Sequence, residues 1–339
     1  MPCWAFAKPA AKQDPELGRG RVAAPGHPAI QSDLKQPPNR IIFKHQMAKS
    51  VNIEIAGVCI AIESRDGLDD WGIYSAYRPF VCDRQADIHL LMRRGKPDIS
   101  TAALVFDSSP IWTLHRQGDT TAFKIFDRLS DQKRILSFDS DIRTANLFFP
   151  GADGAFVDPF YGPTLELLLI HYLARQGGMI MHASGIDDHG RGMLFVGESG
   201  AGKSTLSNLW HQQNGAAIFS DDRVILREKN GEYWMYGTPW HGEARFVSPR
   251  CVKLEHIFFL QHDHDNAVRS LNRADAVVEF LKASFPPFWD SDGVAFAMAF
   301  LSDLAGAVPC QALSFKPDAS IIDFLKAQGS AHQALSQSA

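Results

Sequence analysis

The feature that most constrains this chain is the glycine-rich segment GESGAGKS at residues 197–204, which we call the glycine loop. It follows the apolar run MLFV at residues 193–196 and precedes a segment of helical character that begins at Lys203. The pattern G-x-x-x-x-G-K-[ST] between a strand and a helix is typical of a loop whose backbone N–H groups surround a phosphate at a helix N-terminus. We therefore predict an α/β domain built around a strand, a phosphate-binding loop and a helix.

The predicted nucleotide-binding residues are Gly197, Glu198, Ser199, Gly200, Ala201, Gly202, Lys203, Ser204 and Thr205. Lys203 is expected to neutralise the β and γ phosphates of ATP. Ser204 is expected to give a hydroxyl to Mg²⁺, which otherwise keeps mostly water and phosphate ligands. The alternative is a glycine-rich turn with a surface lysine, and the flanking strand and helix favour ATP and Mg²⁺ over it.

Two adjacent carboxylates, Asp221 and Asp222, follow an apolar run at residues 217–220. In phosphoryl transfer, one carboxylate in such a place orients the metal ion and another accepts the proton of the attacking hydroxyl. Because neighbouring side chains on a strand point to opposite faces, the pair can divide these tasks only if the strand breaks at Asp221. The alternative is a solvated pair that caps a strand.

Three further residues are candidates for the same site. His182 lies near the glycine loop if residues 179–183 and 193–196 pair as a hairpin through a turn at 188–190, although a hydrogen-bonded core histidine is the alternative. Glu243 offers a second metal-directed carboxylate, and Arg245 offers a cation for charge that develops in the transition state. A salt bridge within their loop is the alternative for both.

Two other segments stand out. The tract HDHD at residues 262–265 has metal-ligand residue types but lacks distant partners in a known spacing, so we predict a solvated turn. The tract SFPPFW at residues 284–289 is apolar and stiffened by proline. It is either part of a core or a docking surface, and the sequence leaves both open.

Composition narrows the partners and the compartment. A chain of 339 residues with 45% hydrophobic residues is long enough for two domains with their own cores. A net charge of -4 opposes a polynucleotide and favours a small phosphorylated ligand. The five scattered cysteines do not suggest a disulfide framework. Since we also find no long apolar run and no signal segment, we expect a cytoplasmic protein that does not bind membranes.

The predicted organisation has four parts. They are a flexible leader at 1–48, a small antiparallel β-rich domain at 49–150 that ends in a linker at 146–151, a catalytic α/β domain at 151–330, and a flexible tail at 331–339. The leader is rich in Pro, Ala, Gln and Lys and has no sustained apolar period. Because Met47 opens the first segment with strand character, a start of the natural chain at Met47 is a further hypothesis.

The motifs together resemble the catalytic domain of HPr kinase/phosphorylase. The resemblance rests on His182-Ala183-Ser184-Gly185, the glycine loop, Asp221-Asp222-Arg223-Val224 and Glu243-Ala244-Arg245, and it covers about residues 160–265. It implies a P-loop domain similar to phosphoenolpyruvate carboxykinase, with a mixed sheet flanked by helices. By resemblance, His182 is the active-site histidine, Asp221 the base, and Asp222 and Glu243 the magnesium-side carboxylates, while Arg245 matches the arginine of a Glu-x-Arg signature.

The chain departs from that family after the Lys-Ser pair, where Thr205 stands in place of a glutamate, and after Glu-x-Arg. It looks more similar to divergent HPr-kinase-related proteins found beside peptide-modification systems. We therefore expect an ATP- and Mg²⁺-dependent kinase that phosphorylates a serine-type hydroxyl of a protein or peptide, and the resemblance allows a homo-oligomer. The alternatives are a lyase similar to phosphoenolpyruvate carboxykinase, and an ATP-binding module whose β domain recruits a peptide.

Overall fold

The computed structural model describes residues 50–69, 71–126, 133–150, 158–160 and 162–336. Within these residues the chain is a mixed α/β protein with two large mixed sheets and five α-helices. The leader predicted at 1–48 lies outside the described residues.

The first sheet, which we call the N-terminal sheet, has eight strands. They are β1 (Ser50–Ile55), β2 (Val58–Ser64), β3 (Ile88–Arg94), β4 (Ala103–Ser108), β5 (Trp112–Gln117), β6 (Thr120–Phe126), β7 (Lys133–Phe138) and β8 (Thr144–Phe149). Their spatial order is β1-β2-β3-β8-β7-β6-β5-β4, and a 3₁₀ turn at Arg78–Phe80 lies between β2 and β3. In β1 and β8 buried residues alternate with more exposed ones, as expected when one face of a strand packs against a core.

Two predictions about this region are wrong. The sheet is mixed and not antiparallel, because β3 pairs in parallel with both β2 and β8. The predicted linker at 146–151 is mostly strand β8, which lies between β3 and β7. Local pattern does not show that a strand returns to the middle of a sheet, and this strand continues to Phe149, directly before Pro150.

The second sheet contains the elements around the glycine loop. Its strands are β9 (Gly178–Asp188), β10 (Arg191–Val196), β11 (Ala217–Ser220), β12 (Arg223–Lys229), β13 (Glu232–Tyr236), β14 (Cys251–His262), β15 (Ala267–Ser270) and β16 (Cys310–Phe315). The order is β10-β9-β12-β13-β14-β16-β15, with β11 beside β9. Strand β10 is antiparallel to β9 and parallel to β14, so β9, β12, β13, β14 and β10 form a closed circuit of pairings.

The helices are α1 (Thr164–Ala174), α2 (Lys203–Asn214), α3 (Arg273–Ala283), α4 (Ser291–Ala307) and α5 (Ser320–Ser336). Helix α5 thus continues into the segment that the sequence predicted as a flexible tail. Asn272 and Asp290 cap α3 and α4 by accepting hydrogen bonds from backbone N–H groups of the first turn. Among the described residues, no helix combines the length and apolar character that crossing a membrane requires.

One hydrophobic cluster, which we call the shared core, contains residues of both sheets. Trp289 packs against Phe106, Trp112 and Phe123 of the N-terminal sheet, with ring centroids 5.2 to 5.7 Å apart. It also stacks on His171 of α1, whose ring nitrogen accepts a hydrogen bond from Trp289 Nε1 at 2.9 Å. The tract at 284–289, which the sequence left open, is therefore largely core.

Candidate active site

The glycine loop connects β10 to α2. Strand β10 ends at Val196 and α2 begins at Lys203, as the sequence predicted. Gly202 is at the N-cap with φ of 92°, and a Cβ at this position would lie 2.6 Å from Cζ of Phe315. Only glycine adopts that backbone without strain. Because Gly202 has no side chain to cap the helix, the first N–H groups of α2 are left for an external acceptor.

Lys203 folds back over this loop. Its Nζ donates hydrogen bonds to the carbonyl oxygens of Gly197 at 2.8 Å and Glu198 at 2.9 Å. Burial lowers the pKa of Lys203 to about 8, against the opposing effect of the Asp222 and Asp221 charges. The ammonium group is therefore held beside the loop, where an incoming anion would compete with the two carbonyls.

Asp221 joins three parts of the site. Its Oδ2 accepts a hydrogen bond from Ser204 Oγ at 3.0 Å, and its two oxygens accept the backbone N–H groups of Gly242 and Ala244, each at 2.9 Å. The residue is buried. The glycine loop, the end of β11 and the loop at 237–249 thus meet at one carboxylate.

Asp222 points to a different set of partners. Strand β11 ends at Ser220 and β12 begins at Arg223, so the strand breaks at the carboxylates, as their shared role requires. His182 Nε2 lies 3.3 Å from Asp222 Oδ1, and Arg223 contacts the other oxygen of the same carboxylate. Burial raises the pKa of Asp222, but the hydrogen bond from His182 and the charge of Arg223 outweigh it, so the net shift is downward.

The hairpin predicted for residues 179–196 explains the position of His182. Ala183 pairs with Val196 across β9 and β10, which puts His182 next to the start of the glycine loop. On its other edge β9 pairs with β12, where Arg223 is directly opposite His182. The imidazole is thereby fixed between the loop and the carboxylates.

Glu243 and Arg245 lie on the loop that Asp221 holds, but their side chains are exposed. In the part of the chain that the structure describes, neither side chain makes a hydrogen bond or an ion pair, so the salt bridge considered as an alternative does not form. Arg245 has a positive φ of 60°, which is strained for arginine. Thr205 is exposed on the first turn of α2. The structure brings together His182, Lys203, Ser204, Asp221 and Asp222 and leaves these three at the edge.

Sequence reasoning missed a buried carboxyl group near Asp222. Burial raises the pKa of Glu166 to about 7, and the nearby Arg223 acts in the opposite direction. Its Oε2 is inaccessible and without a hydrogen-bond partner. Glu166 occupies the first turn of α1, where acidic residues are common because a negative charge interacts favourably with the helix dipole. Nothing in the sequence therefore marked Glu166 as a candidate site residue.

No cluster of three or more His, Cys, Asp and Glu side chains within the described part of the chain could hold a metal ion. Asp263, His264 and Asp265 are exposed in the turn between β14 and β15, which agrees with the predicted solvated turn.

The site lies within a segment that matches a protein family. The model of the family described as "ScmC: SynChlorMet cassette protein ScmC" matches residues 164–294, less than half of the chain. That segment contains His182, the glycine loop, the two aspartates and Arg245 and leaves out the N-terminal sheet. A solved structure, "Structure of the Hpr(Ser) kinase/phosphatase from Coxiella burnetii", is 13% identical, with a TM-score of 0.29. The match covers 46% of this chain and 98% of that chain. No curated protein matches.

Proposed function

We propose that this chain is an ATP-dependent kinase that transfers the γ-phosphoryl group to a serine-type hydroxyl of a protein or peptide. The observation that carries the proposal is the hydrogen bond of 3.0 Å between Ser204 and Asp221. It joins a loop suited to phosphates to a pair of carboxylates suited to a metal ion and a proton. A glycine-rich turn of purely structural use does not need that pair beside it.

The donor set at this junction fits Mg²⁺. A hydroxyl and a carboxylate oxygen are in contact, and Mg²⁺ is ordinarily held by one or two carboxylates together with phosphate oxygens and water. Ser204 and an adjacent carboxylate would hold the ion, with Glu243 as a further candidate. When bound, Mg²⁺ supplies charge neutralisation for the phosphates.

Other residues of the site act on the charge of the phosphates and on the proton of the acceptor hydroxyl. The N–H groups of the glycine loop and the Lys203 ammonium bind the phosphates, and Arg245 stabilises charge that grows in the transition state. The acceptor oxygen forms a bond to the γ-phosphorus as the bond to the bridging oxygen breaks and ADP leaves. The acceptor proton passes to a carboxylate, which the resemblance assigns to Asp221.

The contacts of the carboxylate pair support a second division of these roles. Asp221 accepts three hydrogen bonds, and one comes from the predicted metal ligand Ser204. Asp222 instead contacts His182, a group that can pass on a proton. With Asp221 on the metal side and Asp222 as the base, Asp221→Asn weakens the Mg²⁺ dependence of nucleotide binding and Asp222→Asn leaves it in place. The reverse pattern supports Asp221 as the base.

The kinase is tested by single-turnover consumption of ATP in Mg²⁺ by the full chain. We expect Lys203→Ala and Asp221→Asn each to reduce the rate by about 100-fold or more, because each removes charge from the reacting phosphate site. Lys253→Ala, which removes an exposed lysine paired with Glu232, is the matched control and keeps the rate. Undiminished activity in both site variants contradicts the proposal.

Two other outcomes point to other functions. Formation of ADP that depends on oxaloacetate indicates the lyase, and tight ATP binding without turnover indicates a binding module.

The proposal has three further parts. The fold around the loop is similar to phosphoenolpyruvate carboxykinase, and the protein works in the cytoplasm. Its net charge of -4 disfavours nucleic acid as a partner.

A further inference from the structure

A serine hydroxyl makes three hydrogen bonds at the turn that carries the carboxylate pair. Ser220 Oγ accepts the backbone N–H groups of Asp222 and Arg223, each at 3.1 Å. The same hydroxyl donates to the carbonyl oxygen of Trp240 at 2.8 Å. Serine hydroxyls that bond the backbone two and three residues ahead fix turns of this kind. The Trp240 carbonyl is therefore one of two anchors of the Asp222 backbone; the other is the Ala183 N–H, which donates to the Asp222 carbonyl oxygen at 3.1 Å.

Trp240 is at the start of the loop that also holds Asp221. Two residues further on, Gly242 donates its N–H to Asp221 Oδ1, and Ala244 donates to Oδ2. Both aspartates are thus tied to one short stretch of chain, Asp222 through the Trp240 carbonyl and Asp221 through the following amides. A shift of Trp240 moves both carboxylates together.

Trp240 is in turn held by the connection between β2 and β3 of the N-terminal sheet. Its indole Nε1 donates to the hydroxyl of Tyr77 at 3.0 Å, across 163 residues of sequence, and both side chains are buried. Tyr77 lies just before the 3₁₀ turn between β2 and β3, and its ring packs on Phe160 with centroids 4.4 Å apart. Burial raises the pKa of Tyr77 well above its usual value, so the hydroxyl stays neutral at physiological pH.

We infer that Tyr77 and Trp240 are positioning residues for the carboxylate pair, and that the β2–β3 connection of the N-terminal sheet is therefore a working part of the active site. In the described residues, the hydrogen bond of these two side chains runs between them and not to the glycine loop. Their effect passes through the Trp240 backbone to Ser220 and from there to Asp222. A buried hydrogen bond that loses one partner leaves the other group unsatisfied, so loss of the Tyr77 hydroxyl is enough to displace the indole.

The test compares two substitutions that each delete one phenolic hydroxyl in the full chain. Tyr77→Phe removes the acceptor of the indole N–H. Tyr74→Phe, three residues earlier in the same segment, is the matched control, because its hydroxyl donates to Asp158. Hydrogen exchange of the Asp222 and Arg223 amides is measured for both variants. We expect exchange to be about tenfold faster in Tyr77→Phe and unchanged in the control.

The single-turnover rate of ATP consumption separates positioning from general destabilisation of the fold. This second measurement rests on the proposed kinase. Tyr77→Phe is expected to lower the single-turnover rate about tenfold while the Kd for ATP stays within about twofold, because the glycine loop is untouched. Trp240→Phe removes the donor of the same hydrogen bond, so the double variant should be no slower than either single variant. Additive losses, or equal exchange in Tyr77→Phe and Tyr74→Phe, overturn the inference.

The two proposals fail in distinguishable ways. If the wild-type chain does not turn over ATP, the kinase is wrong, and the exchange of the Asp222 and Arg223 amides still decides the inference. If Tyr77→Phe does not fold, Trp240→Phe supplies the same exchange measurement from the other side of the hydrogen bond. Unchanged protection of the two amides in Trp240→Phe then contradicts the inference.

Discussion

We expect the free energy of unfolding of this protein to depend on pH through His171. The side chain is buried in the shared core between Phe123, Phe138 and Trp289, where its Nε2 accepts the indole N–H of Trp289. Burial lowers its pKa from the usual 6.5 to about 4, and the hydrogen bond to the Leu167 carbonyl only partly opposes this. The folded protein therefore keeps His171 neutral while the unfolded chain takes up a proton.

The sign follows from where protons bind. Between pH 6.5 and pH 4 the unfolded state binds more protons than the folded state, so stability falls as the pH falls. The contribution of His171 is fully present above pH 6.5 and is lost on acidification through pH 4. With the two pKa values above and 1.36 kcal/mol per unit, the loss between pH 7.5 and pH 5 is about 2 kcal/mol.

The measurement is urea unfolding of the wild type and of His171→Gln at pH 7.5 and pH 5. Glutamine does not titrate, and its carbonyl oxygen can still accept the Trp289 N–H. The variant starts from a lower stability because its packing is worse, but its loss on acidification should be about 2 kcal/mol smaller than that of the wild type. Equal losses in the two proteins would refute the burial of a neutral histidine at this position.

Two further predictions concern the site. Gly242→Ala places a Cβ 2.7 Å from Asp221 Oδ2, so the loop must shift. We expect the single-turnover rate to fall about tenfold or more. Gly72→Ala is the control and keeps the rate, because nothing lies within 4 Å of the new Cβ. Because burial raises the folded pKa of Glu166 to about 7, its stability contribution is present below pH 4.5 and is lost as pH rises through 7. Glu166→Gln should therefore gain stability relative to wild type at pH 8 and not at pH 4.5, as thermal unfolding at the two values would show.

The centre of the site followed from local sequence. The glycine loop had its strand and helix on either side, and the alternation of side chains on a strand required the break that the structure shows between Ser220 and Arg223. The hairpin through residues 188–190 put His182 beside the loop, as predicted. All of these inferences concern residues close together in the chain or joined by a short turn.

What the sequence did not reveal depends on long-range pairing. Strand β8 looked like a linker because its central place in the sheet depends on pairing with β3, which lies far back along the chain. The hydrogen bond between Trp240 and Tyr77 crosses 163 residues, and neither residue belongs to a motif. Glu166 is unusual only through its burial, which comes from packing of α1 against other elements.

The central claim is phosphoryl transfer to a serine-type hydroxyl. Its most direct test is to add the full-length protein, ATP labelled at the γ-phosphate, and Mg²⁺ to extract of the native cell, and to search for labelled phosphoserine by mass spectrometry. We predict a phosphoserine product that forms with the wild type and not with Lys203→Ala. Label found only in free phosphate, or a product that forms equally well with Lys203→Ala, would contradict the account.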